Sequence, residues 1–130
     1  MVEMHGWITI RESYEVTDEE NFGEILELID IEIKKLNHCD PQIVWRNGEC
    51  FIELLACTNH MSLDIRELIS FFDIVGKVAK GSYGLLYVHN DEDKDNYNSF
   101  VVHRLARGKV EIYQDTLLSP IVPIIEDIGE

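Results

Sequence analysis

The spacing of apolar residues at the start of the chain is typical of a β-strand. Within residues 2–13, Ile8 and Ile10 would point to one face of a sheet. Trp7 and Thr9 would point to the other face, so both faces carry bulky side chains. This pattern predicts a strand in the interior of its sheet.

Gly6 lies directly before Trp7 in this predicted strand. A glycine inside a strand often marks a place where a neighbouring group approaches the backbone closely. Two interpretations of the pair remain open. Either Trp7 packs on a sheet face and Gly6 makes room for a neighbour, or Trp7 contacts a partner directly.

Two later segments have the period of amphipathic helices. The first is expected to begin at Thr17, which forms a capping box with Glu20 and is followed by acidic residues. It is expected to end within residues 37–41. The second is expected from residue 63, with fraying over residues 76–81. The apolar stripes comprise Phe22, Ile25, Leu26, Ile29, Ile33 and Leu36 in the first helix, and Leu63, Ile65, Leu68, Ile69, Phe72 and Val75 in the second.

Asn47-Gly48 lies between the apolar segments 42–46 and 49–57 and predicts a β-hairpin with a type I′ turn. A two-residue loop would place Arg46 opposite Glu49. One face of the hairpin would then carry Ile43, Trp45, Cys50, Ile52 and Leu54, and the other Val44, Arg46, Glu49, Phe51, Glu53 and Leu55.

A second hairpin is expected from segments 82–90 and 98–106, joined by the acidic loop 91–96. Arg107-Gly108 would then turn into a last strand over residues 109–115, and this two-residue loop would place Arg104 opposite Glu111. In the simplest register, His89 and His103 share a face with Tyr83, Leu85 and Tyr87. The opposite face, which suits a protein interface unless the tail or a helix covers it, would carry Leu86, Val88, Phe100, Val102 and Tyr113.

The resulting order β-α-ββ-α-βββ predicts an α+β fold. We expect a two-layer sandwich, with two helices packed on a mainly antiparallel sheet of about six strands. The 130 residues are expected to form a single domain, 1–130. The tail, residues 116–130, contains two prolines and is expected to pack on the body because it is too apolar to stay in solvent.

The charge is strongly acidic, with 11 Lys and Arg against 25 Asp and Glu and a net charge of −14. Such a field disfavours nucleic acid and anionic membranes as partners and accelerates association with a basic protein. Plain solubility is the alternative explanation. We expect a cytoplasmic protein, since the sequence has no secretory signal pattern and no apolar run of roughly 18 residues. The number of cysteines is odd, three, which favours reduced thiols over a set of disulfides.

The best metal candidates are His38, Cys39, Cys57 and His60. Cys57 and His60 have a chelating spacing, but adjacent His38 and Cys39 do not, and no zinc pattern is complete. Cys50 and Cys57 also suit the core of a strand. We therefore expect no metal and no cofactor.

The loop sequence Asp91-x-Asp93-x-Asp95 begins like a calcium loop but lacks its glycine and its terminal glutamate, with Asn96 and Val102 at those positions. It is expected to be a solvated hairpin tip or a docking loop for a basic partner. No phosphate-binding glycine loop, nucleophile elbow or basic aromatic stripe is present. These absences argue against an enzyme.

The N-terminal segment resembles the immunity protein 7 family of polymorphic toxin systems. The residues that carry the likeness are Glu3, His5, Gly6, Trp7, Ile8, Ile10, Arg11 and Ser13. It continues through the acidic first helix, the hairpin with Trp45 and Asn47-Gly48, and the strand with Tyr83 to Tyr87. The resemblance implies a non-enzymatic cytosolic protein that binds and neutralises a cognate toxin, often a basic nuclease. It brings no catalytic residues.

An acidic inhibitor fits a basic toxin on physical grounds as well, because carboxylates attract and hold cationic side chains. The expected partner contacts are Asp91, Glu92, Asp93, Asp95, Glu49 and Glu53. Two alternatives remain open. One is another acidic adaptor or nucleic-acid mimic, and the other is a small metal-binding enzyme that uses the histidine and cysteine candidates.

Overall fold

The computed structural model describes residues 1–15, 20–36 and 41–129. Its elements follow the predicted order, with one short helix added in the tail. They are β1 (Val2–Thr9), α1 (Phe22–Lys34), β2 (Gln42–Arg46), β3 (Glu49–Thr58), α2 (Leu63–Val78), β4 (Tyr83–Asn90), β5 (Val101–Ala106), β6 (Lys109–Gln114) and α3 (Ile121–Ile124).

All six strands form one antiparallel sheet in the order β2-β3-β1-β4-β5-β6. β1 pairs with β3 on one side and β4 on the other, so the predicted interior position of the first strand is confirmed. The predicted α+β fold is confirmed as well. The strand is shorter than predicted, since it ends at Thr9, although Ile10 is still buried.

The helices α1 and α2 pack on the same face of the sheet. Ile25 and Ile29 of α1 and Phe72 of α2 join one apolar cluster with Ile8 of β1 and Ile52 of β3. Every second residue of each strand therefore faces this core, as the two-residue period of a strand requires.

Both tight turns have the backbone that their sequences predict. Asn47 and Gly48 have φ values of 50° and 78°, and Arg107 and Gly108 have 51° and 76°. These left-handed values define type I′ turns. The turns place Arg46 opposite Glu49 and Arg104 opposite Glu111, in the predicted registers.

The helix boundaries differ from the prediction. Helix α1 begins at Phe22 after the N-cap Asn21, so Glu20 lies outside the helix. Thr17 lies outside the described residues. Helix α2 begins at Leu63, which is 68% exposed and not part of the core stripe. Phe71 takes a buried place that the predicted stripe lacks.

The predicted register of the second hairpin is wrong by one residue. The connection runs from residue 91 to residue 100, longer than expected, and Leu86 pairs with His103. A shift of one residue moves every side chain of a strand to the other face. Leu86 and Val88 therefore lie in the helix-facing core, whereas Val102 lies on the opposite face. His103 shares no face with His89.

The tail is only partly buried. Ile121 is buried, and its backbone N–H donates to the Asn98 carbonyl at 2.8 Å. Phe100 N–H donates to Ser119 Oγ at 2.9 Å, which ties the tail to the start of β5. The apolar side chains that remain exposed are Leu117, Leu118, Ile124, Ile125 and Ile128.

Candidate functional site

The face of the sheet opposite α1 and α2 is the most extensive feature that the core does not use. Neither α1 nor α2 packs against this face, and the tail lies along one corner of it. We call it the open face. Its side chains come from Glu3, His5, Trp7 and Thr9 of β1, Gln42, Val44 and Arg46 of β2, Glu49, Phe51, Glu53, Leu55 and Cys57 of β3, Tyr83, Leu85, Tyr87 and His89 of β4, Val102, Arg104 and Ala106 of β5, and Lys109, Glu111 and Tyr113 of β6.

Trp7 occupies the middle of the open face. Its ring meets that of Tyr83 edge to face, with centroids 6.0 Å apart and an interplanar angle of 89°. Both side chains are 43% exposed. Trp7 therefore packs on a sheet face, as one interpretation predicts, but a large part of it is also available to a partner.

Gly6 makes room on the other face, as predicted. A β-carbon at this position would lie 2.8 Å from Leu86 Cδ1 and 3.1 Å from Phe72 Cζ. The glycine therefore lets α2 approach β1, and its neighbour Trp7 is directed to the open face.

The open face has an acidic and a basic half. Glu3, Glu49 and Glu53 lie on β1 and β3, whereas Arg104 and Lys109 lie on β5 and β6. Arg46 of β2 and Glu111 of β6 are the exceptions. Arg104, one of the two cations of the basic half, is paired within the chain. Arg104 Nη2 lies 3.2 Å from Glu111 Oε2, and its guanidinium lies 4.7 Å from the centroid of the Tyr113 ring.

Tyr113 completes this paired group. Its hydroxyl donates to Glu111 Oε2 at 2.8 Å. That hydrogen bond raises the pKa of Tyr113 above its ordinary value, because the carboxylate favours the protonated phenol. The group is therefore a small hydrogen-bonded unit of a cation, a carboxylate and an aromatic ring.

Four of the predicted contact residues lie in the loop after β4. Asp91 Oδ1 lies 2.6 Å from the amino group of Met1, and Glu92 Oε1 lies 2.6 Å from His60 Nδ1. The hydrogen bond from the amino group lowers the pKa of Asp91. Half of this acidic tip is thus paired with cationic or imidazole groups.

Asp93 organises the tip from inside. Its Oδ1 accepts from Asp95 N–H at 3.0 Å and its Oδ2 from Asn96 Nδ2 at 3.3 Å. The bond from the Asp95 backbone, followed by that from the Asn96 side chain, lowers the pKa of Asp93. Asp95 is exposed and uses its backbone rather than its carboxylate in this turn.

The structure does not bring the six predicted contact residues together. Glu49 begins β3 at the Asn47-Gly48 turn, whereas Asp91 follows β4 at the opposite end of the sheet. The ten residues of β3 correspond to about 30 Å at 3.3 Å per residue. Glu53 lies between these ends, beside Trp7.

The predicted metal candidates are not assembled in the described chain. Cys57 is exposed on the open face, so its expected place in the core is wrong, and His60 pairs with Glu92. His38 and Cys39 lie outside the described residues. Across residues 1–15, 20–36 and 41–129, no group of three His, Cys, Asp or Glu side chains is placed to hold a metal ion.

Cys50, His89 and His103 lie in environments that explain them structurally. Cys50 is buried in the core, and burial raises the pKa of its thiol to about 11. His89 Nε2 donates to the Tyr97 carbonyl at 2.8 Å. Burial lowers the pKa of His103, which lies on the helix-facing side. None of these three groups, Cys50, His89 and His103, is paired with another of them for nucleophilic catalysis.

A cavity of about 540 Å³ lies where the tail meets the open face. Its lining includes Glu3 and His89 of the sheet and Ile121 and Ile125 of the tail. The Phe100 ring forms part of the wall, 5.5 Å from the His89 ring. The sequence gives no signal for this cavity, because it depends on the position of the tail.

Comparison with known protein families shows to which of them the chain is related. The model of a family described as Immunity protein 7 matches residues 1–127. The chain belongs to the Immunity protein 7 family. The predicted resemblance is thereby confirmed, and it covers nearly the whole sequence. Searches among curated proteins and among solved structures returned no match.

Family membership indicates an immunity protein with a toxin as its partner, and suggests an inhibitor rather than an enzyme. Within the described residues, each helix is too short or too polar to cross a membrane. The open face and the acidic tip are then the surfaces to consider for the interaction.

Proposed function

We propose that this chain is a cytoplasmic immunity protein that binds the toxin domain encoded beside it and neutralises that domain by forming a stable complex. The observation that carries the proposal is the open face, which presents Trp7, Tyr83 and Leu55 to solvent. Family membership supplies the class of partner.

The size of the open face supports a specific protein interface. The eight residues of β1 extend about 23 Å, and six strands spaced about 4.8 Å apart extend about 24 Å. The face therefore covers roughly 550 Å² in projection, compared with about 800 Å² of accessible surface per partner in a standard complex. Added contacts from the acidic tip would extend it.

The composition of the face supports the same conclusion. Exposed aromatic side chains at its centre and charged side chains around them resemble the arrangement of protein interfaces. Leu55, 76% exposed, has no role in the core of the fold.

The net charge of −14 favours a basic toxin, such as a nuclease. Opposite charge accelerates encounter, and its effect declines as salt is added. We propose that Asp91, Glu92, Asp93, Asp95, Glu49 and Glu53 supply this attraction, from both ends and the middle of the sheet. Neither nucleic acid nor membrane is a partner in this proposal.

The test is co-expression with the neighbouring toxin domain in the bacterial cytoplasm. We expect growth to be rescued and a one-to-one complex to co-purify in high salt. Expression of the toxin domain alone supplies the control for toxicity. Absence of both rescue and complex would contradict the proposal, whereas binding only to basic proteins encoded elsewhere would favour a general acidic adaptor.

A further inference from the structure

We propose that Trp7, Tyr83 and Glu53 form an anchor site for an arginine side chain of the toxin. This inference rests on the proposed function, and it names the position of the central contact and the chemistry of the group that binds there. The three residues are called the anchor site below.

The sheet register places the carboxylate next to the indole. Trp7 pairs with Glu53 of β3 and with Leu85 of β4. Directly opposed residues in antiparallel strands have β-carbons about 4.5–5.5 Å apart. Tyr83 closes the other side through its edge-to-face contact with Trp7. A partly exposed indole and a carboxylate therefore lie side by side.

The chain itself shows how such a site is filled. On β5 and β6, the Arg104 guanidinium lies over the Tyr113 ring at 4.7 Å and binds Glu111 at 3.2 Å. The anchor site has the same two components, an aromatic ring and a carboxylate on one face, without the cation. No hydrogen bond or ion pair engages the Glu53 carboxylate among the described residues.

The basic side chains nearest to Glu53 on this face have other partners. Arg46 Nη1 donates to the Trp45 carbonyl at 2.8 Å, and His5 Nε2 lies 3.5 Å from Glu3 Oε2. Neither supplies a partner for Glu53. In this proposal the cation comes from the toxin, and the nearby Glu3 and Glu49 carboxylates favour its approach.

Arginine fits this arrangement better than lysine. Its planar guanidinium can stack on an aromatic ring while two of its N–H groups bind a carboxylate, whereas an ammonium group offers a single point charge. Arginine and tryptophan are also prominent among the residues that dominate binding energy in protein interfaces.

The experiment measures the Kd of the full chain for the neighbouring toxin domain, carrying a substitution that removes its toxicity. We compare Trp7→Ala and Glu53→Gln with two matched controls on the helix-facing side. Trp45→Ala removes the other tryptophan, which is 49% exposed and also meets an aromatic ring edge to face, that of Phe22. Glu27→Gln makes the same charge change on the exposed surface of α1.

We expect Trp7→Ala to weaken binding by about 30-fold or more, the range of an interface hot spot. We expect Glu53→Gln to weaken it by about 10-fold, and both controls to stay within about 2-fold. Glu53 is exposed, so its variant should retain the unfolding midpoint of the parent. This keeps the test valid if Trp7→Ala is less stable.

Replacing the contacting toxin arginine by alanine should weaken binding of the parent chain by at least as much as Glu53→Gln does. Against that toxin variant, Glu53→Gln should have almost no further effect on the Kd. A tight parent complex that tolerates both Trp7→Ala and Glu53→Gln within about 2-fold would overturn the anchor site and leave the proposed function standing. No complex with the parent chain would overturn both.

Discussion

Gly6 lies against the ring of Phe72, and the contact joins β1 to α2 at the centre of the core. A β-carbon on Gly6 would be 3.1 Å from Phe72 Cζ. β1 is an interior strand, and this close approach lies on the face of the sheet that α2 covers. The same contact leaves the adjacent residue, Trp7, on the open face.

Gly6→Ala is therefore expected to destabilise the protein by about 1–3 kcal/mol, the usual cost of extra volume in a packed core. Chemical denaturation measures the change in the free energy of unfolding. Gly23→Ala in α1 is the control, since its β-carbon would meet nothing within 4 Å. Gly23→Ala should stabilise the protein by about 0.4–1 kcal/mol. Equal effects of the two substitutions would contradict the packing role of Gly6.

Local sequence signals were sufficient for those parts of the fold that depend on neighbouring residues. Asn47-Gly48 sets the register of β2 and β3 through its left-handed backbone. The register of β4 and β5 was not predictable in the same way. Their connection contains a turn built by the Asp93 side chain, and its length is not encoded by any two-residue signal.

The candidate site was predictable only in part. The acidic loop is visible in the sequence, but its distance from Glu49 follows from the sheet order, which connects strands far apart in the chain. The exposure of Trp7 on the open face could not be predicted from the sequence either. Alternation indicates two faces, whereas the number and position of the helices decide which face stays uncovered.

The left-handed backbone of Gly48 gives a second prediction. Its φ of 78° strains any residue with a β-carbon, although the space around it is open. We expect Gly48→Ala to cost about 1–2 kcal/mol. Gly48→Asn should cost less, since asparagine tolerates this conformation better than alanine. The midpoints of thermal unfolding of the two variants measure these costs. Midpoints identical to that of the parent would contradict the strain argument.

Asp115 stabilises the start of the tail. Its carboxylate accepts from Leu117 N–H and Leu118 N–H at 2.9 Å each, and from Ser119 Oγ at 2.7 Å. Burial acts to raise the pKa of Asp115, but the hydrogen bonds from Leu117, Ser119 and Leu118 outweigh it, and the pKa falls below 3.8.

This lowered pKa fixes the sign of a pH effect. A carboxyl group with a depressed pKa in the folded state contributes stability above its unfolded pKa, and the contribution is lost as the pH falls through the folded pKa. Asp115→Asn should cost about 1–3 kcal/mol at neutral pH, and this difference should shrink below a pH of about 3.8. Denaturation across this range, with Asp127→Asn as an exposed control, tests it. A difference in stability between Asp115→Asn and the parent that does not change with pH would show that the charge of Asp115 does not contribute to stability.

The acidic tip is expected to act on the rate of association rather than on the life of the complex. Asp91→Asn combined with Asp95→Asn removes two exposed charges and leaves Asp93, whose carboxylate orders the loop. Charges at the rim of an interface mainly change the association rate and its dependence on salt.

Stopped-flow mixing with the detoxified toxin domain should therefore show association slowed several-fold at low salt, a flatter salt dependence and a nearly unchanged dissociation rate. The matched control replaces Glu24 and Glu27 of α1 by glutamine, which changes the net charge equally on the helical side. If both double variants slow association to the same extent, total charge rather than the position of the tip attracts the toxin. If only the tip variant slows association, the toxin approaches over the end of the sheet where β4 meets the loop. The anchor site lies about 20 Å along the strands from that first contact.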